Sequence, residues 1–488
     1  MRLHEPWTTS KFNLDSLGVA GFFGGEEAIS AMTTVHLYRG RRWLGWYNSP
    51  GGYTVAKHYG RLARSSLWTG LYPGTKLDPV ELFELGGKKS PRFIGAHSGT
   101  ILPETGHLGY LLMKECETLP PNGEVEKRKT TPSGVTVVNL EEPFGINDPT
   151  ADTENDSPPL IYPTRLSGLL ISIIPIGTSL IACVFCALLR DWFGFAMILL
   201  GIVANGLTCL VLGSGTLFVK RVKPASDVPK GDGLLESKKE LVVLLGPESA
   251  IAQVTRASFG LKFKFGSAPN YHNVGRCCIL QTGQFLIQLL LIPQAGLFGQ
   301  SMFLTTFAVS WLYNAYLSSF DKEEMQRKVL LKPNVLNIDG KRQRYVFGTR
   351  TAMAVFVMFA LQPSNPRSLL DHLIPNNTNI WNTFKDQLAK QAPIGPEVKE
   401  LSIDFSALKT VGNKGLMDDL RMMRRRHIKH IANIVSSGRT KRKKCERERK
   451  RLFEWIQNVP RWDYTHISSY ISLRTLQSYT SYYLISSV

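Results

Sequence analysis

The chain has 488 residues, with 58 lysines and arginines against 39 acidic residues and a formal net charge of +19. Seven cysteines in a chain of this length exclude a small disulfide-framed fold. Mean composition is ordinary for a soluble protein, but the apolar residues are bunched into a few long runs, which argues against a single soluble core.

Residues 1–75 form a basic and aromatic N-terminal segment. Tyr38, Trp43, Trp46 and Tyr47 are interleaved with Arg39, Arg41 and Arg42. That mixture suits a headgroup interface or stacking on nucleic acid, and the expected placement is a surface segment, with no nucleic-acid partner. Glu26 and Glu27 interrupt what a secretory leader would need as a continuous apolar stretch. The first span is therefore expected to act as its own insertion signal.

Residues 76–145 read as a small soluble domain, in which Gly134–Leu140 is β-prone. His97, Glu104, His107 and Cys116 are metal-ligand types, but their spacing matches no zinc pattern. The expectation is a loop with solvated histidines, and no metal or other cofactor is assigned. Residues 146–165 are an acidic linker holding Pro149, Pro158, Pro159 and Pro163.

Three runs then lack charge: 24 positions over Leu166–Leu189, 28 over Trp192–Val219 and 44 over Cys277–Phe320. A bilayer crossing takes about 20 mostly apolar residues. The first two runs fit one crossing each. The third would be about 66 Å long as one helix, which fits two crossings. The expected fold is an all-α membrane protein: a four-span bundle of two tight hairpins, 166–219 and 277–320, with a soluble N-terminal region. Between the hairpins, the connector 220–276 reads as a small cytoplasmic α/β unit. Glu240–Gly246 forms a strand, Pro247 opens a helix with Glu248 in its first turn, and Leu261–Phe265 forms a second strand. The glycine before the helix lacks a phosphate-loop lysine, so no nucleotide site is assigned.

The spans contain no ionisable side chain beyond cysteine and tyrosine, which counts against a proton relay or a voltage sensor. They do carry neutral polar faces. Gln281, Gln284 and Gln288 share one helical face; Thr306, Ser310 and Asn314 share another; Asn205 stands mid-span beside Gly201 and Gly206. The plain reading is that these faces meet and hydrogen-bond between helices. The rival reading is a polar cavity for a neutral or lipid-like solute. Cys183, Cys186 and Cys209 read as small apolar residues. Cys277 and Cys278 follow Arg276 at the expected edge of the third span, a position compatible with palmitoylation.

Residues 321–414 form a cytoplasmic segment. Within it, Thr351–Leu361 is uncharged but too short to cross, and is expected to lie on the membrane or on the bundle. Residues 415–454 pattern as a basic amphipathic helix, and 455–488 as a disordered, Ser- and Tyr-rich terminus. Arg424, Arg425, Arg426, Lys429, Lys441, Arg442, Lys443 and Lys444 are the candidate contacts for anionic lipid headgroups. Nine lysines and arginines in 221–276 and eight in 321–350, against Arg190 alone in the hairpin turns, place both termini in the cytoplasm.

Several segments resemble a family of uncharacterised multipass membrane proteins of basidiomycete fungi. They are Ile101–Thr105 through Lys114–Glu117, Asp191–Gly206, Ser319–Glu323 and Gly348–Thr351. The resemblance spans roughly residues 90–390 and implies the membrane class and a fungal origin, without an activity. The functional expectation is a structural or adaptor membrane protein, with the lipid bilayer as its partner and either a further copy of itself or an unidentified protein as another. The alternatives are a transporter or channel for a neutral solute, and a membrane-bound enzyme for which no catalytic residue stands out.

Overall fold

The computed structural model describes residues 25–38, 40–121, 133–141, 166–220, 222, 227–237, 240–263, 271–330, 336 and 342–391. All of them belong to the first of two compact units into which the chain divides. The tail residues Arg424, Arg425, Arg426, Lys429, Lys441, Arg442, Lys443 and Lys444 lie outside the described residues, as does the linker up to residue 165.

The N-terminal part holds helices α1 (Glu26–Thr33), α2 (Gly52–Tyr59), α3 (Ser66–Leu71) and α4 (Pro79–Leu82). Strands β1 (Arg92–Gly95) and β2 (Ile101–Leu102), helix α5 (His107–Glu117) and strand β3 (Ser133–Asn139) follow. Next come the long helices α6 (Leu166–Leu188) and α7 (Trp192–Leu212), then β4 (Gly215–Lys220), β5 (Gly233–Glu236), β6 (Glu240–Leu245), α8 (Glu248–Thr255) and β7 (Ser258–Phe263). The second long pair is α9 (His272–Leu291) and α10 (Leu297–Ser318). The described part ends with α11 (Lys322–Leu330), β8 (Gln343–Phe347), α12 (Arg350–Leu361), α13 (Pro366–Leu373) and α14 (Asn379–Gln391).

Three helices are long and apolar enough to cross a membrane: Gly168–Leu188, Trp192–Leu212 and His272–Gln294. At 22 residues α10 matches them in length, but Gln300, Thr305, Thr306, Ser310 and Asn314 make it less apolar. The long helices expose apolar side chains such as Leu170, Ile173, Ile181, Phe193, Leu286 and Leu290, and bury their amides. That arrangement is the reverse of a helix standing in water. The first hairpin is shorter than the expected 166–219, because Gly213 and Ser214 end α7 and the β-branched Thr216 and Val219 continue as β4. The second begins earlier than the expected 277. Consequently Cys277 and Cys278 stand inside α9 and not at its edge, and Cys278 is buried.

The fold is not all-α. A six-stranded sheet in the order β2-β1-β5-β6-β3-β8 draws strands from before the first hairpin, from the connector and from after the second hairpin. Among the described residues only the β3–β6 pair is parallel; it runs from Gly134 opposite Glu240 to Asn139 opposite Leu245. The connector is therefore no self-contained unit. Its β6 joins the large sheet, whereas β7 pairs with β4 in a separate two-stranded sheet. Leu241–Leu244 are buried on both sides of the strand, as a central strand covered on two faces requires. One side packs Val138, Val242 and Leu244 with Leu108, Leu111 and Leu112 of α5. On the other lies α12, which packs on β3, β6 and β8. This corrects the expectation that 351–361 lies on the membrane or on the bundle. The helix is apolar all round and short, which is the pattern of a core helix.

Part of the described N-terminal segment is likewise drawn into the interior. Helix α1 packs on α10, α2 packs on α9, and a 3₁₀ turn, Arg41–Trp43, packs on α7. Leu37, Tyr38, Arg41 and Tyr47 are all buried. Their burial withdraws these four from a headgroup or nucleic-acid surface, whereas Trp43 is exposed with Arg42 5.2 Å from its ring centre.

Candidate functional site

Between Gly40 and Gly51 the chain leaves regular helix and enters the cluster of long helices. Gly40 and Gly51 adopt positive φ of 91° and 79°, where a side chain is disfavoured, and so fix the entry and exit of the loop. Irregular backbone carries N–H and C=O groups that apolar surroundings cannot satisfy, so each needs a partner. The polar faces of the long helices supply those partners.

Asn205 Nδ2 donates to the carbonyl of Gly45 at 2.7 Å and to that of Tyr47 at 3.3 Å. The Asn48 backbone N–H donates to Ser179 Oγ of α6 at 3.1 Å. Asn48 Nδ2 donates to Thr306 Oγ1 of α10 at 3.0 Å, while its Oδ1 accepts from Gln288 Nε2 of α9 at 3.3 Å. The same Gln288 amide donates to the Met197 carbonyl of α7 at 3.0 Å. The Tyr47 hydroxyl donates to Asn314 Oδ1 at 2.9 Å, and Asn314 Nδ2 donates to Ser49 Oγ at 3.1 Å. Asn48 thus bonds directly to three of the long helices and reaches the fourth, α7, through Gln288. Gln281 instead bonds to Thr208 Oγ1 of α7 at 3.0 Å, and Gln284 donates to Gln288 Oε1 at 3.2 Å. Ser310 is fully buried, and its Oγ makes no hydrogen bond among the described residues.

The polar residues Asn205, Gln281, Gln284, Gln288, Thr306, Ser310 and Asn314 are all buried. What they hold there is mainly a loop from more than 150 positions earlier in the chain, and only secondarily one another. The loop residues Arg41, Tyr47, Asn48 and Ser49 were missed by sequence reasoning. One signal was available: the small and turn-forming run Asn48-Ser-Pro-Gly-Gly52, which no surface role explained. Small residues on the helices make room for the loop. An added Cβ at Gly206 would lie 2.3 Å from the Trp46 ring, and one at Gly45 would lie 2.5 Å from Cys209 Sγ.

Arg41 is 1% exposed. Its Nη2 donates to the Tyr47 hydroxyl at 3.4 Å, and the guanidinium stands 5.7 Å from the centre of the Tyr313 ring. Tyr47 and Tyr313 meet edge to face at 5.5 Å. A cavity of about 10 Å³ is lined by Arg41, Tyr47, Ser49, Asn205, Gln281 and Asn314 among others. It holds about one water-sized occupant.

The other ligand-type residues do not come together. His97 faces Asp232 at 3.4 Å and Ser364 at 3.2 Å. His107 is buried, with its Nε2 2.9 Å from Gln326 Oε1, so the expectation of a solvated histidine is corrected there: His107 opens α5 and is covered by α11. Cys116 is buried, and burial pushes its thiol up to about 12, which keeps it protonated and unreactive.

Comparison with family models, with curated proteins and with solved structures gives no match.

Proposed function

We propose that this chain is a four-span membrane protein whose helices anchor and brace a cytoplasmic sheet domain, in a structural or adaptor role. The observation that carries the reading is the strand order. β3 precedes the first hairpin, β6 lies between the hairpins and β8 follows the second, yet the three are neighbours in one sheet. Chain segments that share a sheet must share a side of the membrane. Each intervening hairpin therefore crosses an even number of times, which supports two crossings apiece and includes the less apolar α10. The excess of lysine and arginine on those same segments supports the cytoplasmic side.

The polar span faces also suited a conduit for a neutral solute. Their engagement with the loop at Gly45–Ser49 supports bracing instead, because most of the amide donors that could line a path are already bonded to backbone or side chain. The bilayer is then the first partner, with the basic tail available to anionic headgroups.

Labelling from one side of sealed vesicles tests the reading. In a background with the native cysteines replaced, Val228→Cys and Asn376→Cys should react with an impermeant maleimide from the same side. Arg190→Cys should react only from the other. Reaction of all three from one side would overturn the four-span arrangement.

A further inference from the structure

We propose that Ser364, His97 and Asp232 form a hydroxyl–imidazole–carboxylate triad that hydrolyses short, polar carboxylic esters at one corner of the large sheet. This activity stands beside the bracing role and does not depend on the number of crossings. The three residues are far apart in the chain, and backbone hydrogen bonds fix them together. The pairing of β1 with β5 sets Gly95 opposite Gly233. The next residues out, Ala96 and Asp232, therefore meet, and the Ala96 N–H donates to the Asp232 carbonyl at 2.9 Å. Ser364, three residues past the end of α12, donates its N–H to the Ala96 carbonyl at 3.1 Å. His97 thus follows a residue that is bonded to the segments carrying both of its partners.

The side chains line up on that frame. Asp232 is buried; its Oδ1 accepts from the Gly246 N–H at 2.8 Å, and its Oδ2 stands 3.4 Å from His97 Nε2. The other ring nitrogen, Nδ1, is 3.2 Å from Ser364 Oγ. A proton on Nε2, facing the carboxylate, leaves the Nδ1 lone pair to accept from the hydroxyl. Hydroxyl, base and orienting carboxylate in that sequence is the arrangement that activates a serine, whatever their order along the chain. Ser364 is exposed, so an ester carbonyl can reach its Oγ. The exposed neighbours Ser98, Gly99 and Asn365 are small or polar and offer no apolar wall, which suits a short polar acyl group over a lipid chain.

Ser364 Oγ attacks the carbonyl carbon as its proton passes to His97 Nδ1. The bond to the alcohol oxygen breaks, and the alcohol leaves with that proton. A water then gives its proton to His97 and attacks the acyl-serine. The acid departs, and the proton returns to Ser364.

The test uses the full-length chain purified in detergent, with p-nitrophenyl acetate as substrate and a fluorophosphonate as covalent probe. The natural protein should hydrolyse the ester and carry the probe on Ser364, located by mass spectrometry. Ser364→Ala and His97→Gln should each lose about 100-fold or more of the hydrolysis, the scale of general-base catalysis. Ser364→Ala should also lose the label. Asp232→Asn keeps an acceptor for the Gly246 N–H; as the positioning residue it should lower kcat about tenfold or more with KM unchanged. Ser98→Ala, one residue from His97, is the control and should keep full activity. A natural protein with neither hydrolysis nor label at Ser364 would overturn the triad. So would hydrolysis that survives in Ser364→Ala.

Discussion

Gly201 of α7 lies against the side chain of Asn48: a Cβ added at position 201 would stand 1.8 Å from Asn48 Oδ1. No rotamer adjustment of a few tenths of an ångström absorbs that overlap, and Asn48 is held by three other helices at once. Gly201→Ala should therefore push the loop out of the bundle and cost about 1–3 kcal/mol, the usual range for overpacking. Gly177→Ala is the control, because nothing lies within 4 Å of the Cβ it adds. Thermal unfolding in detergent should show a drop for the first and none for the second. Equal midpoints would mean that the loop does not occupy the bundle.

Gln288 and Asn48 should be coupled. Their amides meet at 3.3 Å, and Gln288 also reaches the Met197 carbonyl. Interhelical polar contacts of this kind contribute about 0.6 kcal/mol on average and rarely much above 1.7 kcal/mol. A double-mutant cycle of Gln288→Leu and Asn48→Ala should give a coupling energy in that range. The parallel cycle of Gln284→Leu with Asn48→Ala should give a smaller one, since Gln284 reaches Asn48 only through Gln288. Coupling of zero in the first cycle would sink the bracing role assigned to Asn48.

The long helices were legible because charge is absent over whole runs, and the polar faces because Gln281, Gln284 and Gln288 recur at helical spacing. The partner of those faces was not legible. It comes from a segment dense in arginine and glycine, which local pattern assigns to a surface, and only tertiary contact reveals that Tyr38 and Tyr47 are buried. The sheet was read in part. Gly134–Leu140 and Glu240–Gly246 are apolar enough to announce strands, whereas β1, β2 and β5 are two to four residues long and carry no detectable alternation. Pairing was beyond reach altogether, because β3 and β6 are joined through a pair of long helices. The same fact explains why α12 is expected on the membrane or on the bundle: its apolar surface is visible in the sequence, and the sheet it covers is not.

The basic tail makes a separate prediction. Residues 421–451 hold 14 lysines and arginines among 31 positions, and Leu416, Leu420 and Met423 begin an apolar face. A peptide covering 414–452 should bind phosphatidylserine vesicles and gain helix there, as a basic amphipathic segment does. Binding should weaken steeply with salt, since the Debye length is about 10 Å at 0.1 M and shortens above it. Circular dichroism and co-sedimentation measure both. Equal binding to neutral vesicles would remove the electrostatic role.

His36 should make the fold acid-labile in a defined window. Its ring is buried where the 3₁₀ turn Thr34–His36 meets β4, edge to face with Phe83 at 4.5 Å, and Nδ1 lies 3.1 Å from the Gly215 carbonyl. With Nδ1–H donating to that carbonyl, Nε2 is left buried and without a partner, so a proton added there would have no acceptor. Burial accordingly lowers the imidazole from 6.5 to about 4, while the Gly215 bond acts in the opposite direction. The folded form then binds fewer protons than the unfolded chain between these values, so stability is complete above about pH 6.5 and falls as pH drops toward 4. The full difference is on the order of 3 kcal/mol. Glu323 acts lower down. Burial opposes its ionisation, but hydrogen bonds from Lys114 and Lys88 outweigh it and hold the carboxyl at about 2, so its contribution is lost only below about pH 4.5. Unfolding midpoints measured from pH 7 to 4 should slope for the natural protein and flatten for His36→Gln, whose amide can still donate to the Gly215 carbonyl but does not titrate. A slope unchanged in His36→Gln would assign the acid sensitivity to another group.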